Sequence, residues 1–401
     1  MKNPIKNTTN NIAKLREAIK ESELDALMIT SPVNRLYATG FSSSAGVALI
    51  ARERAWFFTD SRYIEAAALA ISDAEVSEQR SGSTYQKLVN AVCAERGLKT
   101  LGFEEKSVTY SEYKVWEAGL DAALVPSQAF LQDARAIKSR AELNKMIAAQ
   151  RIAEKSFNEI LPLIKTDITE RRLANELLTA FLRNGADDKA FETIVVSGER
   201  SSMPHGVPED RPLQKGFLTI DFGVKKDGWC SDTTRTVCLG RASEEMRRVY
   251  DTVLRAQLAG IAAARAGVRG SDVHAAALNV ISDAGFGKFF GHGFGHGLGL
   301  EVHETPNAAP SYGGELPAGA VISAEPGIYL PGKFGVRIED VIYITESGSE
   351  NKTARPKEFM EISALGAMAI APVLYRKIRF HSVAAPVAAQ AAYPVRARTF
   401  I

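Results

Sequence analysis

Residues 291–304, GHGFGHGLGLEVHE, contain three of the six histidines of the chain, His292, His296 and His303. Glycine occupies every second position from 291 to 299, so few bulky side chains surround these imidazoles. Two histidines four residues apart can hold zinc from one face of a helix, but so many glycines argue against a helix here. We therefore expect an extended segment in which glycine lets the backbone pass close to a crowded site or adopt a positive φ.

Carboxylates that could join these imidazoles occur upstream, in GFLTIDFGVKKDGWCSDTTRTVCLG. Its alternating apolar residues and Asp227-Gly228 pair are typical of a β-hairpin. With the turn at these two residues, Asp221 opposes Thr234, and Asp221 and Asp232 project from the same face. A turn one position earlier would pair the two acids directly, and a one-residue bulge would separate them, so the prediction depends on the register.

Two more acids lie in apolar strand patterns of the segment AVISAEPGIYLPGKFGVRIEDVIYITE. Glu325 ends one strand before Pro326-Gly327, and Glu339 is predicted to lie inside the next strand. Buried carboxylates are costly unless they are paired or bind a metal. Taken singly, an Asp pair on a hairpin is usually a solvated face, and a Glu before Pro-Gly usually belongs to a turn. The occurrence of all four acids in one region favours a shared site.

The charge of such a site indicates its ligands. Two divalent cations would balance the four carboxylates, and one neutral imidazole beside them suits Mn²⁺, Fe²⁺, Co²⁺ or Zn²⁺ better than Ca²⁺. Two metals about 3.5–4 Å apart can share a hydroxide and stabilise both sides of a hydrolytic transition state. The pattern therefore predicts two metal ions and hydrolytic chemistry.

The elements that must position these residues form two regions with different patterns of predicted secondary structure. Residues 12–130 alternate helix-like and strand-like segments, which predicts an α/β domain. Ser139 and Glu142 form a capping-box pattern that begins a long amphipathic helix, so we place the domain boundary at about residue 135. Residues 190–345 mix strands with helices predicted at 243–266 and 271–284, which indicates an α+β domain.

Composition excludes several classes of function. A formal net charge of +2 gives no sign of a nucleic-acid partner. The chain begins without a secretory signal pattern and holds no apolar run long enough to span a bilayer. The three cysteines form neither a metal-ligand spacing nor a disulfide framework, and we expect them to be reduced and buried in a cytoplasmic protein. From Ile362 to Ile401 the chain lacks acids and is rich in alanine. We interpret this tail as a non-catalytic extension or a departure in the reading frame, rather than as a membrane or partner anchor.

These motifs resemble the pita-bread-fold dinuclear metallopeptidases of the aminopeptidase P and prolidase (Xaa-Pro dipeptidase) branch. The resemblance covers roughly residues 12–361 and rests on LDALMITSPVNRLYATGFSSSAG, FFTDSRY, SGERSSMPHGVPED, TIDFGVKKDGWCSDTTRT, HGFGHGLGLEVHE, SAEPGIY and GVRIED. It implies a creatinase-like N-terminal α/β domain at residues 1–135 and an α+β pita-bread catalytic domain at residues 136–361. Residues 362–401, the alanine-rich tail, have no counterpart in the shared pattern.

The resemblance also implies a role for each matching residue. The metal ligands would be Asp221 on one ion, Asp232 and Glu339 on both, and His296 and Glu325 on the second. Glu325 would also take the proton of the attacking water. His205 would contact the substrate and assist proton movement, and His303 would hydrogen-bond the scissile carbonyl. His292 would line the pocket for the residue after the cut, and Arg337 would orient the acids. Without the resemblance, we would interpret His205 as a turn residue and Arg337 as a surface charge on a strand.

One position departs from the family pattern and bears on specificity. Many prolidase-like members carry an arginine four residues after the position of His303, where it receives the free carboxylate of a dipeptide. This chain has Asn307 there, and asparagine cannot form a bidentate clamp on a carboxylate. We therefore predict an aminopeptidase P-like exopeptidase that hydrolyses the bond before proline in the second position of small peptides.

Three alternatives stay open from the sequence. A prolidase restricted to dipeptides would differ in its dependence on peptide length. A creatinase-like C–N hydrolase without metal, or a non-enzymatic binding protein on the same fold, would lack the ligands that this chain keeps. The family further implies a homodimer in which the N-terminal domain restricts access to the cleft, and we take Mn²⁺ as the first expectation among the four metals.

Overall fold

The computed structural model describes residues 11–363. The N-terminal region contains a six-stranded sheet in the order β4-β3-β2-β1-β5-β6. Strand β2 is antiparallel to its neighbours β1 and β3, while β4 pairs in parallel with β3, β5 with β1 and β6 with β5. Its strands are β1 (Ala26–Ile29), β2 (Val47–Ala51), β3 (Ala55–Thr59), β4 (Glu75–Glu78), β5 (Thr100–Phe103) and β6 (Ala123–Pro126).

Six helices flank this sheet, and their alternation with the strands confirms the predicted α/β domain. They are α1 (Ile12–Lys20), α2 (Pro32–Thr39), α3 (Ile64–Ala70), α4 (Tyr85–Arg96), α5 (Tyr110–Gly119) and α6 (Gln128–Ala136). Apolar side chains on both sheet faces are buried, which divides the N-terminal core into two clusters. One cluster continues into the C-terminal region through Leu143, Met146, Leu298 and Val321, so the two regions share apolar packing.

Four longer helices support the C-terminal region: α7 (Arg140–Ile160), α8 (Glu170–Arg183), α9 (Glu244–Ala263) and α10 (Gly270–Asp283). Ser139 and Glu142 form the predicted capping box at the start of α7. Helices α7 and α8 pack on a core that includes Phe157 and Phe222, whose rings stack at 5.0 Å. Helices α9 and α10 pack on a second core around Phe217, Tyr250 and Phe294.

The strands of this region form four sheets. The first half supplies β7 (Asp188–Lys189), β8 (Ile194–Ser197), β9 (Gly216–Phe222), β10 (Val224–Lys226), β11 (Trp229–Cys230) and β12 (Thr233–Leu239). The second half supplies β13 (Gly295–Gly297), β14 (Glu304–Ala308), β15 (Val321–Ala324), β16 (Gly327–Leu330), β17 (Phe334–Arg337), β18 (Asp340–Ile344), β19 (Ser349–Asn351) and β20 (Glu361–Ile362). Their orders are β20-β12-β9-β8, β14-β13-β15-β18-β19, β11-β10-β7 and the pair β16-β17.

The structure bears on the predictions for the cysteines and for membrane-spanning segments, but not on those for the tail or the domain boundaries. All three cysteines are free and buried, as expected. No helix within residues 11–363 is long and apolar enough to cross a bilayer. The predicted tail, apart from its first two residues, lies outside the described part of the chain. The domain boundaries at residues 135 and 361 stay predictions.

Candidate metal centre

The hairpin formed by β9 to β12 has the register that the sequence predicted. Lys226 pairs with Trp229 across the turn, and Asp221 pairs with Thr234 further along. The turn residue Asp227 has a φ of 49°, and Gly228 has a φ of 83°. These left-handed conformations match the turn type that an Asp-Gly pair favours in two-residue hairpins. Asp221 and Asp232 therefore project to the same side.

Glu325 and Glu339 lie where two antiparallel strands pass from one sheet to another. Ala324 pairs with Asp340 in the five-stranded sheet, and Gly327 pairs with Arg337 in the next two-stranded sheet. Glu339 thus lies between β17 and β18, which corrects the prediction that it lies inside one strand. The break in the ladder has a physical reason, because the Glu339 amide donates to the Thr234 carbonyl of the hairpin, at 3.1 Å.

His296 lies in β13, beside the same hairpin. Its Nε2 atom is 3.1 Å from Glu325 Oε1 and 3.6 Å from Asp232 Oδ2. Its amide donates to Ser323 Oγ at 3.0 Å, which ties the strand to its neighbour β15. A Cβ atom on the preceding Gly295 would lie 1.9 Å from the Ser323 carbonyl oxygen, so only glycine fits there.

The alternating glycines therefore serve close approach of the backbone, as expected. The second part of that expectation is wrong, because none of the five glycines at positions 291 to 299 has a positive φ. The segment around His296 is extended and paired on both sides, so φ stays in the ordinary strand range. Its glycines are needed for their lack of a side chain rather than for backbone freedom.

The acids of this centre strongly affect one another. Burial, followed by the charge of Glu339, raises the pKa of Asp232 well above its usual range. Burial and the charge of Glu325 likewise raise the pKa of Glu339. Burial alone would raise the pKa of Glu325, but the hydrogen bond and charge of His296 outweigh it and lower that pKa to about 2. Without a cation, the cluster holds more negative charge than its surroundings stabilise.

Arg337 supplies part of the missing positive charge. Its Nη2 atom donates to Asp221 Oδ2 at 2.7 Å, its Nε atom to Thr234 Oγ1 at 3.0 Å, and its Nη1 atom to Tyr329 Oη at 2.9 Å. Thr234 Oγ1 in turn donates to Glu339 Oε2 at 2.7 Å. Arg337 is buried, so the interpretation as a surface charge is wrong.

Tyr329 and Thr234 are functional candidates that the sequence reasoning missed. Tyr329 Oη contacts His292 Nε2 at 2.9 Å and accepts from Arg337, so it joins the histidine segment to the acid cluster. Thr234 connects Arg337 with Glu339. The predicted hairpin register held a signal for Thr234, because it placed this residue directly opposite Asp221.

The three remaining candidate histidines lie in different surroundings. The ring centroid of His303 is 4.3 Å from that of His296, and burial lowers the pKa of His303. Burial also lowers the pKa of His292, whose Nδ1 atom lies 2.8 Å from the Gly293 carbonyl oxygen. His205 is exposed and lines a cavity of about 350 Å³ together with residues of α8 and β8.

The residues present fit a divalent cation. Donor atoms of Asp232, His296 and Glu339 lie within 4.8 Å of one another. Asp221 Oδ1 is buried and has no hydrogen-bond partner among the described residues. A buried carboxylate oxygen left in this way is costly, and a cation would satisfy it. Carboxylate oxygens with one imidazole are suitable ligands for first-row divalent metals.

A cluster of acids around an imidazole in an α+β domain is the arrangement expected of a metal-dependent hydrolase. Residues 144–346 match metallopeptidase family M24, and residues 11–137 match the Creatinase/Prolidase N-terminal domain. The chain therefore belongs to metallopeptidase family M24, with a creatinase-like N-terminal domain and a pita-bread catalytic domain, as the sequence predicted.

Several relatives are similar over nearly their whole length. The uncharacterized peptidase YqhT of Bacillus subtilis is 42% identical, covering 87% of this chain and 99% of that protein. The structure of an Xaa-Pro dipeptidase from Bacillus anthracis aligns with a TM-score of 0.84 and 37% identity, covering 88% of this chain and 99% of that one. An X-Pro aminopeptidase from Thermotoga maritima aligns with a TM-score of 0.81 and 33% identity, covering 86% and 100%.

Proposed function

We propose that this protein is a dinuclear metallo-exopeptidase that hydrolyses the bond before a proline in the second position of a peptide. The observation that carries the proposal is the convergence of Asp232, His296, Glu325 and Glu339 in a chain of family M24. The names of two similar structures, an Xaa-Pro dipeptidase and an X-Pro aminopeptidase, support the proline specificity.

Five residues would hold the two ions. Asp221 would bind one ion, Asp232 and Glu339 both, and His296 and Glu325 the other. Two bound divalent ions supply Lewis acidity and a nucleophile that is available near neutral pH. We propose Mn²⁺ as the metal, with Co²⁺, Fe²⁺ or Zn²⁺ as alternatives, because the ligand set suits all four.

The other residues of the centre would act on the substrate and the protons. Glu325 would accept the proton of the attacking water, since a general base must lie within hydrogen-bond reach of it. His303 would donate a hydrogen bond to the scissile carbonyl oxygen as negative charge develops there. His205 would contact the substrate and assist proton movement, and His292 would line the pocket for proline. Arg337 would hold Asp221 in position.

Asn307 favours peptides longer than two residues. A dipeptide presents its free carboxylate next to the cleaved bond, where a guanidinium binds it best. Asparagine at this position has no charge to offer, so an aminopeptidase P-like preference follows. The alternative, an Xaa-Pro dipeptidase, is favoured by the names of relatives such as that of Pyrococcus horikoshii, which is 32% identical over 362 residues.

Two further expectations belong to this proposal. We propose a homodimer, as the family resemblance implies. We also propose a cytoplasmic location, because three free, buried cysteines suit a reducing compartment.

The test uses the purified full chain, stripped by chelation and reloaded with Mn²⁺ or Co²⁺, on Arg-Pro-Pro and Gly-Pro. Asp232→Asn serves as the inactive variant, and Asp210→Asn, an exposed aspartate, as its control. Metal-dependent release of arginine from the tripeptide supports aminopeptidase P-like activity, and cleavage of the dipeptide alone supports a prolidase. Two bound metals without cleavage would refute the proline specificity, and absence of bound metal would refute the metal centre.

A further inference from the structure

Glu304, the residue that follows His303, is buried in a cluster of charges outside the metal centre. Its carboxylate accepts from Arg135 Nη2 and lies 3.2 Å from Lys138 Nζ. Exposure of the three side chains is 5%, 4% and 1%, respectively. Arg135 also pairs with Glu301 at 2.8 Å. Both cations come from α6 and the short connection to α7, so they lie between the N-terminal domain and the catalytic domain.

The same carboxylate folds back on the segment that carries His303. Glu304 Oε1 accepts from the Glu301 amide at 3.0 Å, which closes a tight loop around His303. A Cβ atom on Gly299 would lie 2.5 Å from Glu304 Oε2, so glycine at 299 leaves the room that the carboxylate needs. The position of Glu304 thus fixes both ends of residues 301–304.

Arg135 connects this loop to the N-terminal domain. Its Nη1 atom donates to Asn34 Oδ1 at 2.8 Å, and Asn34 Nδ2 donates to Glu104 Oε1 at 2.7 Å. Glu104 is fully buried at the end of β5 and also accepts from the amides of Thr30 and Ser31. A continuous hydrogen-bonded path therefore runs from the N-terminal sheet to the loop next to the metal centre.

Such an arrangement is poorly explained by stability alone. Buried ion pairs lose much of their attraction to desolvation, and apolar replacements are often as stable. Their geometry is nevertheless specific, because planar guanidinium groups and carboxylates bind in few orientations. The His303 ring, 4.3 Å from the His296 ring, is held by the loop that this network fixes.

We propose that Arg135 and Lys138 are positioning residues, which hold His303 in its working orientation through Glu304. The proposal rests on the proposed function, since it assumes that His303 acts on the substrate. It extends that function by making the orientation of His303 depend on contacts from the interdomain connection.

The experiment combines kinetics with amide hydrogen–deuterium exchange on the metal-loaded full chain. Arg135→Met, Arg135→Lys, His303→Ala and the double variant Arg135→Met/His303→Ala are compared. Arg183→Met, at an exposed ion pair with Glu159, is the control for loss of an arginine. Arg135→Met leaves the Lys138–Glu304 pair balanced in charge, which favours folding. Metal content and thermal unfolding are recorded for every variant.

We expect Arg135→Met to lower kcat by about ten-fold to about 100-fold, since a misplacement of about 1 Å can cost about 100-fold, with KM and metal content unchanged. Arg135→Lys should restore part of the loss. In the His303→Ala background, Arg135→Met should cause no further loss, because coupled residues are not additive. Exchange at residues 300–304 should be faster in Arg135→Met than in wild type or Arg183→Met.

Contrary results would refute either the positioning of His303 or the proposed role of His303 itself. Equal losses from Arg135→Met with and without His303 would refute positioning of His303, and so would unchanged exchange at residues 300–304. If Arg135→Met does not fold, the same comparisons with Arg135→Lys decide, since it keeps the charge but loses the planar contacts. Full activity of His303→Ala would instead refute the proposed role of His303, while the exchange data would still test the loop.

Discussion

Arg337 donates to one oxygen of Asp221 at 2.7 Å, while the other oxygen of that carboxylate is buried without a hydrogen-bond partner in the described chain. Among the residues described, the one protein cation at this carboxylate thus satisfies only one of its two oxygens. A polar group left buried and unsatisfied costs about 1–3 kcal/mol, and more when it is charged. The unsatisfied oxygen points to an ion as the missing partner of Asp221.

Metal removal should destabilise the wild-type protein. Ions that bind only the folded state add about 2.7 kcal/mol when they are present at about 100 times their dissociation constant. Chelation should therefore lower the midpoint of thermal unfolding, and Mn²⁺ should restore it. Asp232→Asn should remove this response and, without metal, should be at least as stable as wild type, because it removes the cost of burying a charge at this position and the repulsion from Glu339.

Asp210→Asn, on the surface, provides the control and should respond to chelation as wild type does. A full response to chelation in Asp232→Asn would contradict the placement of the ion. Lower stability of the metal-free variant would contradict the electrostatic explanation, in which burial of the Asp232 charge and its repulsion from Glu339 destabilise the metal-free protein.

Tyr329→Phe should weaken both the fold and catalysis. The substitution removes one oxygen that accepts from Arg337 and contacts His292, each at 2.9 Å. Arg337 Nη1 keeps the Pro204 carbonyl as an acceptor at 3.1 Å, but the loss of the Tyr329 oxygen should still cost about 1–3 kcal/mol of unfolding free energy. The value of kcat/KM should fall about ten-fold for about 1.4 kcal/mol of lost transition-state stabilisation. Urea unfolding and steady-state kinetics measure the two effects.

Tyr113→Phe is the matched control, because the Tyr113 hydroxyl donates to Glu117 at 2.9 Å in an exposed hydrogen bond. It should change neither quantity. If Tyr329→Phe and Tyr113→Phe had the same unfolding free energy and the same kcat/KM, the contacts of the Tyr329 hydroxyl with Arg337 and His292 would contribute to neither stability nor catalysis.

Asn307→Arg should shift the preference of the enzyme toward dipeptides. A guanidinium on β14 would pair with the free carboxylate of Gly-Pro, and hydrogen bonds to charged groups contribute about 1.5–3 kcal/mol. The ratio of kcat/KM for Gly-Pro to that for Arg-Pro-Pro should rise about ten-fold or more. Asn307→Lys introduces the same charge but not the planar guanidinium that binds a carboxylate through two hydrogen bonds, so it should give a smaller shift. An equal change for both peptides would contradict this account of specificity.

Asp25 should make stability depend on pH in the N-terminal domain. Burial alone would raise the pKa of Asp25, but the amides of Lys99 and Thr100, at 2.8 and 3.0 Å, outweigh it and lower the pKa. A lowered folded-state pKa means that the stabilisation is complete above the unfolded-state pKa and is lost as the pH falls through the folded-state value.

The difference in thermal unfolding midpoint between wild type and Asp25→Asn should therefore be largest near pH 7 and should shrink as the pH falls towards the acid range where Asp25 is protonated. Asp210→Asn, at an exposed aspartate, is the control. A difference that stays constant with pH would mean that the charge of Asp25 contributes nothing to the link between β1 and β5.

Features set by neighbouring residues could be predicted from the sequence. The Asp227-Gly228 pair fixed the hairpin turn and, through it, the opposition of Asp221 and Thr234. The Ser139 capping box gave the start of α7. Both depend on contacts within a few residues, where side-chain chemistry restricts the backbone directly.

Features that depend on distant contacts needed the tertiary structure. Glu339 leaves its strand because its amide bonds a hairpin more than a hundred residues earlier. The role of Tyr329 is visible only in the tertiary structure, where β16 brings its hydroxyl into contact with His292 and Arg337. The sequence by itself thus determined the class of chemistry, and the metal ligands that it indicates stay predictions. Only the tertiary structure decided how those groups are oriented, because long-range packing and buried hydrogen bonds set their positions.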